Sequence, residues 1–198
     1  MIVEERADGS LHVSGYVNVT GKLSRPVITS KGEKVIEVIE ERAFQDAISR
    51  ASNVQMTKDH DASVVLAETR ASNLDLKEDK IGLHANAVIT DAQTIDEGKR
   101  GLFKGWSFGM RNIVDRIEER ADKLPIRHVE KFDLDHITLV VKKTPAYAAT
   151  SVELRANDEM EELECRTIDD EITVVTIPKP SFDNSQFKER AKKLGVTF

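Results

Sequence analysis

A single cysteine, Cys165, in 198 residues leaves no partner for an intrachain disulfide and no basis for a multi-cysteine zinc site. It sits in an acidic stretch, where a thiolate is disfavoured, so it reads as incidental. No apolar run approaches the roughly 20 residues that span a bilayer, so no membrane association is expected. The first residues, Met1-Ile2-Val3-Glu4-Glu5-Arg6, lack the apolar core of a signal peptide, and a cytosolic protein is the expectation. A basic surplus is absent too. The net charge of -6 gives no global footprint for direct nucleic-acid binding. There is no internal repeat and no helical His-x-x-x-His spacing of the kind that holds a metal.

What is present is an ordinary globular composition, 39% hydrophobic and 32% charged. The length suits one domain with a full core and a tail. Leu11, Val13, Gly15, Val17 and Val19 alternate with polar residues as in a half-buried strand. Residues 20–32 hold Pro26 and two glycines and read as a loop; Val35 to Ile39 reads as a strand. Phe44, Ala47, Ile48 and Ala51 recur at helical spacing, and Ile81, Leu83, Ala85, Ala87 and Ile89 alternate again. Ile95, Lys99 and Leu102 suggest a short helix. Val129 to Val141 is the longest strand-like run. The sum is an α+β domain, mainly an antiparallel β-barrel with a few helices, over residues 1–155. Residues 156–198 read as an acidic linker and a terminal helix carrying Phe187, Ala191 and Leu194.

The stretch Lys104-Gly105-Trp106-Ser107-Phe108-Gly109-Met110 is the chemical centre of this pattern. On a strand, Trp106, Phe108 and Met110 enter a core while Ser107 points out of the other face, open from above. Gly109 on the serine's own face leaves room for another backbone to approach. The string also matches Gly-x-Ser-x-Gly. A nucleophile elbow, however, follows a buried strand and leads straight into a helix, whereas a helix end and a turn precede this one.

A serine hydroxyl becomes a nucleophile only when a base takes its proton, and imidazole is the usual base. A third group must fix that imidazole's tautomer. Five histidines are available. His12 and His84 lie on polar strand faces, and His128 sits near a proline turn with no evident role. His60 lies in Asp59-His60-Asp61, and His136 lies inside the long apolar run, where it is expected to be partly enclosed. Strand parity puts Phe132, Leu134, His136, Thr138 and Val140 on one face and Asp135 on the other, so Asp135→Asn is expected to matter little. Asp59 and Asp61 point away from their sequence neighbour His60 in extended chain.

In order along the chain, these pieces resemble the HK97-type prohead proteases of tailed bacteriophages. The resemblance covers most of residues 11–155. It rests on the opening strand with Gly15, the helix around Phe44, Thr57-Lys58-Asp59-His60-Asp61 with Val65-Leu66-Ala67, and the stretch from Leu76 to Leu83. It continues through Lys99-Arg100-Gly101-Leu102, Trp106-Ser107-Phe108-Gly109-Met110, and Leu134 to Val140 before Pro145-Ala146-Tyr147. The resemblance implies a serine endopeptidase distantly similar to herpesvirus assemblins, which use serine, histidine and histidine on a β-barrel ringed by helices. By position His60 matches the family's base and Ser107 its nucleophile. Many phage relatives have a glutamate where His136 stands, so the third member is open between His136 and Asp135. A glutamate introduced at position 136 is expected to serve.

The same resemblance implies action in the host cytoplasm, inside the assembling procapsid, on scaffold segments, the major capsid protein and the enzyme itself. It implies a dimer or higher homo-oligomer. No cofactor is expected, and a metal site built from Asp59, His60, Asp61 and a distant histidine lacks metal-ligand spacing, so no metal is expected either. Two other readings stay open: a catalytically inactive assembly module of the same fold, and an unrelated hydrolase with Ser107 at an elbow, which requires a helix starting at Phe108.

Overall fold

The computed structural model describes residues 1–142, 144–147, 161–164 and 174–177. Two sheets and two helices make up the body. One sheet is antiparallel and four-stranded, in the order β1 (Ile2–Glu5), β2 (Leu11–Val19), β8 (Gly82–Ile89), β7 (Leu74–Glu78). The other has six strands: β3 (Pro26–Ile28), β4 (Lys34–Ile39), β10 (Ile126–Val140), β5 (Gln55–Lys58) and β6 (Asp61–Glu68), with β9 (Gly105–Glu118) paired to β10. Helix α1 (Ala43–Arg50) links β4 to β5, and α2 (Ala92–Lys99) leads into β9. A separate pair, β11 (Glu161–Glu164) and β12 (Val174–Ile177), is antiparallel. The α+β character is as expected, but the strands form sheets that are not closed into one barrel. The terminal helix expected around Phe187 to Leu194 lies outside the described residues.

Strand β10 is the spine. Its first part pairs in parallel with β4 at residues 126–129, its last part pairs in parallel with β5 at 136–139, and β9 runs antiparallel along its other edge. Sequence alternation explains most of the burial. Leu83, Ala85, Ala87 and Ile89 of β8 are fully buried, whereas Ile81 falls in the preceding turn and is exposed. The segment 20–32 is not all loop. Val27 is buried on β3, whose Pro26 is tolerated because the strand lies at the sheet edge.

Phe44 of α1 meets Phe108 and Phe132 edge-on at centroid distances of 5.0 and 5.1 Å, so three rings join the helix to β9 and β10. The exposed start of α1 is capped from β7: Glu78 accepts the backbone N–H of Arg42 and of Gln45, at 2.9 and 2.6 Å. Close packing of the two sheets depends on Gly15, where a Cβ would stand 3.0 Å from Trp106 Nε1. Tyr147 stacks on Phe108 at 5.7 Å and donates to buried Glu37 at 2.8 Å, pinning the end of the segment Pro145-Ala146-Tyr147.

Candidate active site

Trp106, Phe108 and Met110 are buried in the core, and Ser107 takes the opposite face of β9, as alternation requires. The open approach expected above Ser107 is not observed: the residue is only 3% exposed. Its antiparallel partner is Thr138, and the next pair on that face is Gly109 with His136. Strand β9 continues to Glu118 with no helix at Phe108, which disposes of the elbow reading.

His60 comes to this face from the β5–β6 hairpin. Lys58 pairs with Asp61, leaving Asp59 and His60 as a two-residue loop with φ of 51° and 61°. Positive φ at both positions is the signature of a type I′ turn, the tight turn whose twist suits a hairpin. It costs a non-glycine residue energy, so it needs fixing from outside. Asp59 supplies that. Its N–H donates to Leu139 O at 3.0 Å, and its Oδ1 accepts the N–H of Val141 at 2.8 Å and of Lys142 at 3.0 Å. The His60 N–H donates to Thr138 Oγ1 at 3.0 Å. The turn is thereby laid over the end of β10, opposite Ser107. Asp61 is engaged elsewhere, accepting the N–H and Oγ–H of Ser63.

The two histidines expected to act together do meet. His60 Nδ1 lies 2.7 Å from His136 Nε2, with the rings edge-to-face at 5.0 Å. A family model described as Caudovirus prohead serine protease matches residues 1–165. The chain belongs to this family. No curated protein and no solved structure gives a significant match. Membership implies a serine peptidase working in the assembling procapsid in the host cell, among capsid components.

A second expectation about the site is overturned. Strand parity places Asp135 on the face away from His136, yet its Oδ2 lies 2.8 Å from His136 Nδ1. The reason is a β-bulge. Leu134 pairs with Met110 and His136 with Gly109, so Asp135 is an extra residue with no partner on β9. The bulge also reverses the strand's phase. Before it, Phe132 and Leu134 face the core; after it, Ile137 and Leu139 do, opposite Phe108 and Trp106. His136 and Thr138 are thus turned to the serine's face, and the single face expected for residues 132 to 140 does not exist. Hydrogen bonding by His136 holds the Asp135 carboxyl below its usual range, helped by the Arg111 guanidinium and opposed by burial.

The remaining histidines lie elsewhere. His128 bridges Glu40 at 2.7 Å and Glu118 at 2.9 Å, and His84 packs edge-on against Tyr16. Among the described residues, no three histidine, cysteine, aspartate or glutamate side chains are grouped to hold a metal ion. Sequence reasoning missed two supports. The anchoring role of Asp59 was findable, since two strands separated by two residues imply a positive-φ turn that an aspartate tolerates. Nothing in the sequence marked Arg111, 24 residues from Asp135, as the carboxylate's ion-pair partner.

Proposed function

We propose that the protein is a prohead-maturation endopeptidase in which Ser107 attacks the peptide carbonyl, His60 takes the hydroxyl proton, and His136 orients His60. Scaffold and capsid-protein segments, and the enzyme's own chain, are the substrates of this reading. A homo-oligomer inside the procapsid is its working form. The observation that carries it is the 2.7 Å contact between His60 and His136 on the strand face that bears Ser107, in a chain of a serine protease family. In the reaction the serine Oγ forms a bond to the carbonyl carbon while its proton passes to His60 Nε2. That proton then goes to the leaving amine as the peptide C–N bond breaks, and water hydrolyses the acyl-enzyme by the same route.

The test is covalent labelling of purified protein with a fluorophosphonate, read by intact-mass spectrometry beside Ser107→Ala and His60→Ala. One adduct on the wild type and none on either variant is expected. An unlabelled wild type that also leaves capsid and scaffold proteins uncut would replace this reading by that of an inactive assembly module.

A further inference from the structure

We propose that Asp135 is a positioning residue that acts through His136 to fix the tautomer of His60; the catalytic meaning of that tautomer rests on the function proposed above. Donor and acceptor capacity decides where the ring protons lie. An ionised carboxylate can only accept hydrogen bonds. Asp135 Oδ2 faces His136 Nδ1 at 2.8 Å, so that nitrogen must carry a proton. In neutral His136 the other nitrogen, Nε2, is then a lone-pair acceptor. It faces His60 Nδ1 at 2.7 Å, which must therefore be the protonated nitrogen of His60. By elimination His60 Nε2 keeps its lone pair, and that is the nitrogen the reaction needs as base.

The opposite arrangement, with His136 protonated on Nε2 and His60 on Nε2, would turn a His136 lone pair toward the carboxylate. It would also leave His60 with a proton where the serine's proton must go. A neutral two-histidine pair is symmetric between these two states until something outside it breaks the tie. Asp135 breaks it.

Two features show that the carboxylate is held for this task rather than met by chance. The bulge between Leu134 and His136 puts the extra residue beside the ring, a departure from sheet regularity that re-aims a side chain. The two carboxylate oxygens are also divided: Oδ2 serves His136, while Oδ1 accepts from Arg111 Nη2 on the neighbouring strand. The His136 hydrogen bond favours the ionised carboxylate, and the Arg111 pair adds to it and restrains the carboxylate's rotation. The Asp135 side chain is 18% exposed, between the core and the open surface.

The deciding experiment uses the full chain labelled with 15N-histidine. Long-range 1H–15N spectra show which ring nitrogen of His60 and His136 carries the proton. Both are expected on Nδ1 in the wild type. In Asp135→Asn the carboxamide can donate as well as accept, so Nε2–H populations should appear at both rings. The maximal fluorophosphonate labelling rate at Ser107 should fall about tenfold or more, while the half-saturating probe concentration changes less than about threefold, because the tautomer affects reaction and not binding. Asp135→Glu, which restores an acceptor-only group, should recover the wild-type tautomers and part of the rate. Unchanged tautomers in Asp135→Asn would overturn the proposal, even if labelling slowed, since a slower rate alone fits mere packing damage. If the wild type does not label at all, the protease reading fails, and the spectra still decide the role of Asp135.

Discussion

The ring of His136 fills the space that a Cβ on Gly109 would need: an added methyl would stand 2.4 Å from His136 Cε1 and 2.8 Å from its Nδ1. The glycine's use is therefore to admit a side-chain ring, where the sequence had suggested an approaching backbone. Both ring nitrogens of His136 are engaged, so the ring cannot yield without breaking a contact to Asp135 or to His60. Gly109→Ala is expected to lower the labelling rate of Ser107 by about 100-fold, the scale of a displacement near 1 Å. Overpacking should cost about 1–3 kcal/mol of stability. Labelling kinetics and urea unfolding of the same sample separate the two effects. A variant with normal kinetics would mean that His136 does not orient the base.

Replacing His136 by glutamate, which the resemblance alone leads one to expect would serve, is not neutral beside Asp135. The introduced carboxylate would sit beside Asp135, and two adjacent carboxylates oppose each other's ionisation. His136→Glu is therefore expected to label slowly. Adding Asp135→Asn removes the like charge, and the double variant should label faster than the single one. Equal rates for the two would show that residue 135 does not reach the site.

The hairpin that carries His60 depends on Asp59. Asp59→Ala loses the acceptor for two backbone N–H groups and places alanine at a φ of 51°. A cost of about 1–3 kcal/mol and a lower maximal labelling rate are expected. Asp59→Asn keeps an oxygen acceptor and a residue that tolerates left-handed backbone, so it should stay close to wild type. Thermal melts together with labelling rates check both. Equal behaviour of the two variants would contradict this role.

Acid stability should carry a contribution from Asp91, the N-cap of α2, which leads into the serine strand. Asp91 accepts from Thr94 N and Thr94 Oγ1 at 2.7 and 2.6 Å, and the Thr94 side-chain bond is the chief reason its carboxyl lies below the ordinary value. A depressed folded pKa means that the stabilisation is fully present above the unfolded value, about 3.9. It is lost as pH falls through the lower folded value. Asp91→Ala should thus cost about 1 kcal/mol at pH 7. The gap from wild type should narrow steadily below about pH 4. A gap independent of pH in urea titrations would assign the loss to something other than the charged cap.

The sequence by itself determined the parts that depend on neighbours in the chain. Alternation of Trp106, Phe108 and Met110 placed Ser107 on the opposite face of a strand, and helical spacing around Phe44 marked α1, because both rest on local periodicity. The ordered run of family-like segments singled out His60 and His136, and the structure brings those two rings together. Tertiary structure decided the rest. Parity counting assumes an unbroken strand, and one inserted residue inverts every face beyond it. Whether β10 bulges at Asp135 depends on its pairing with β9, some 24 residues away, and no window of local sequence records that register. Among the described residues the strands form separate sheets for the same reason: which strands pair at the edges is set by long-range packing, while local sequence sets only which strands exist.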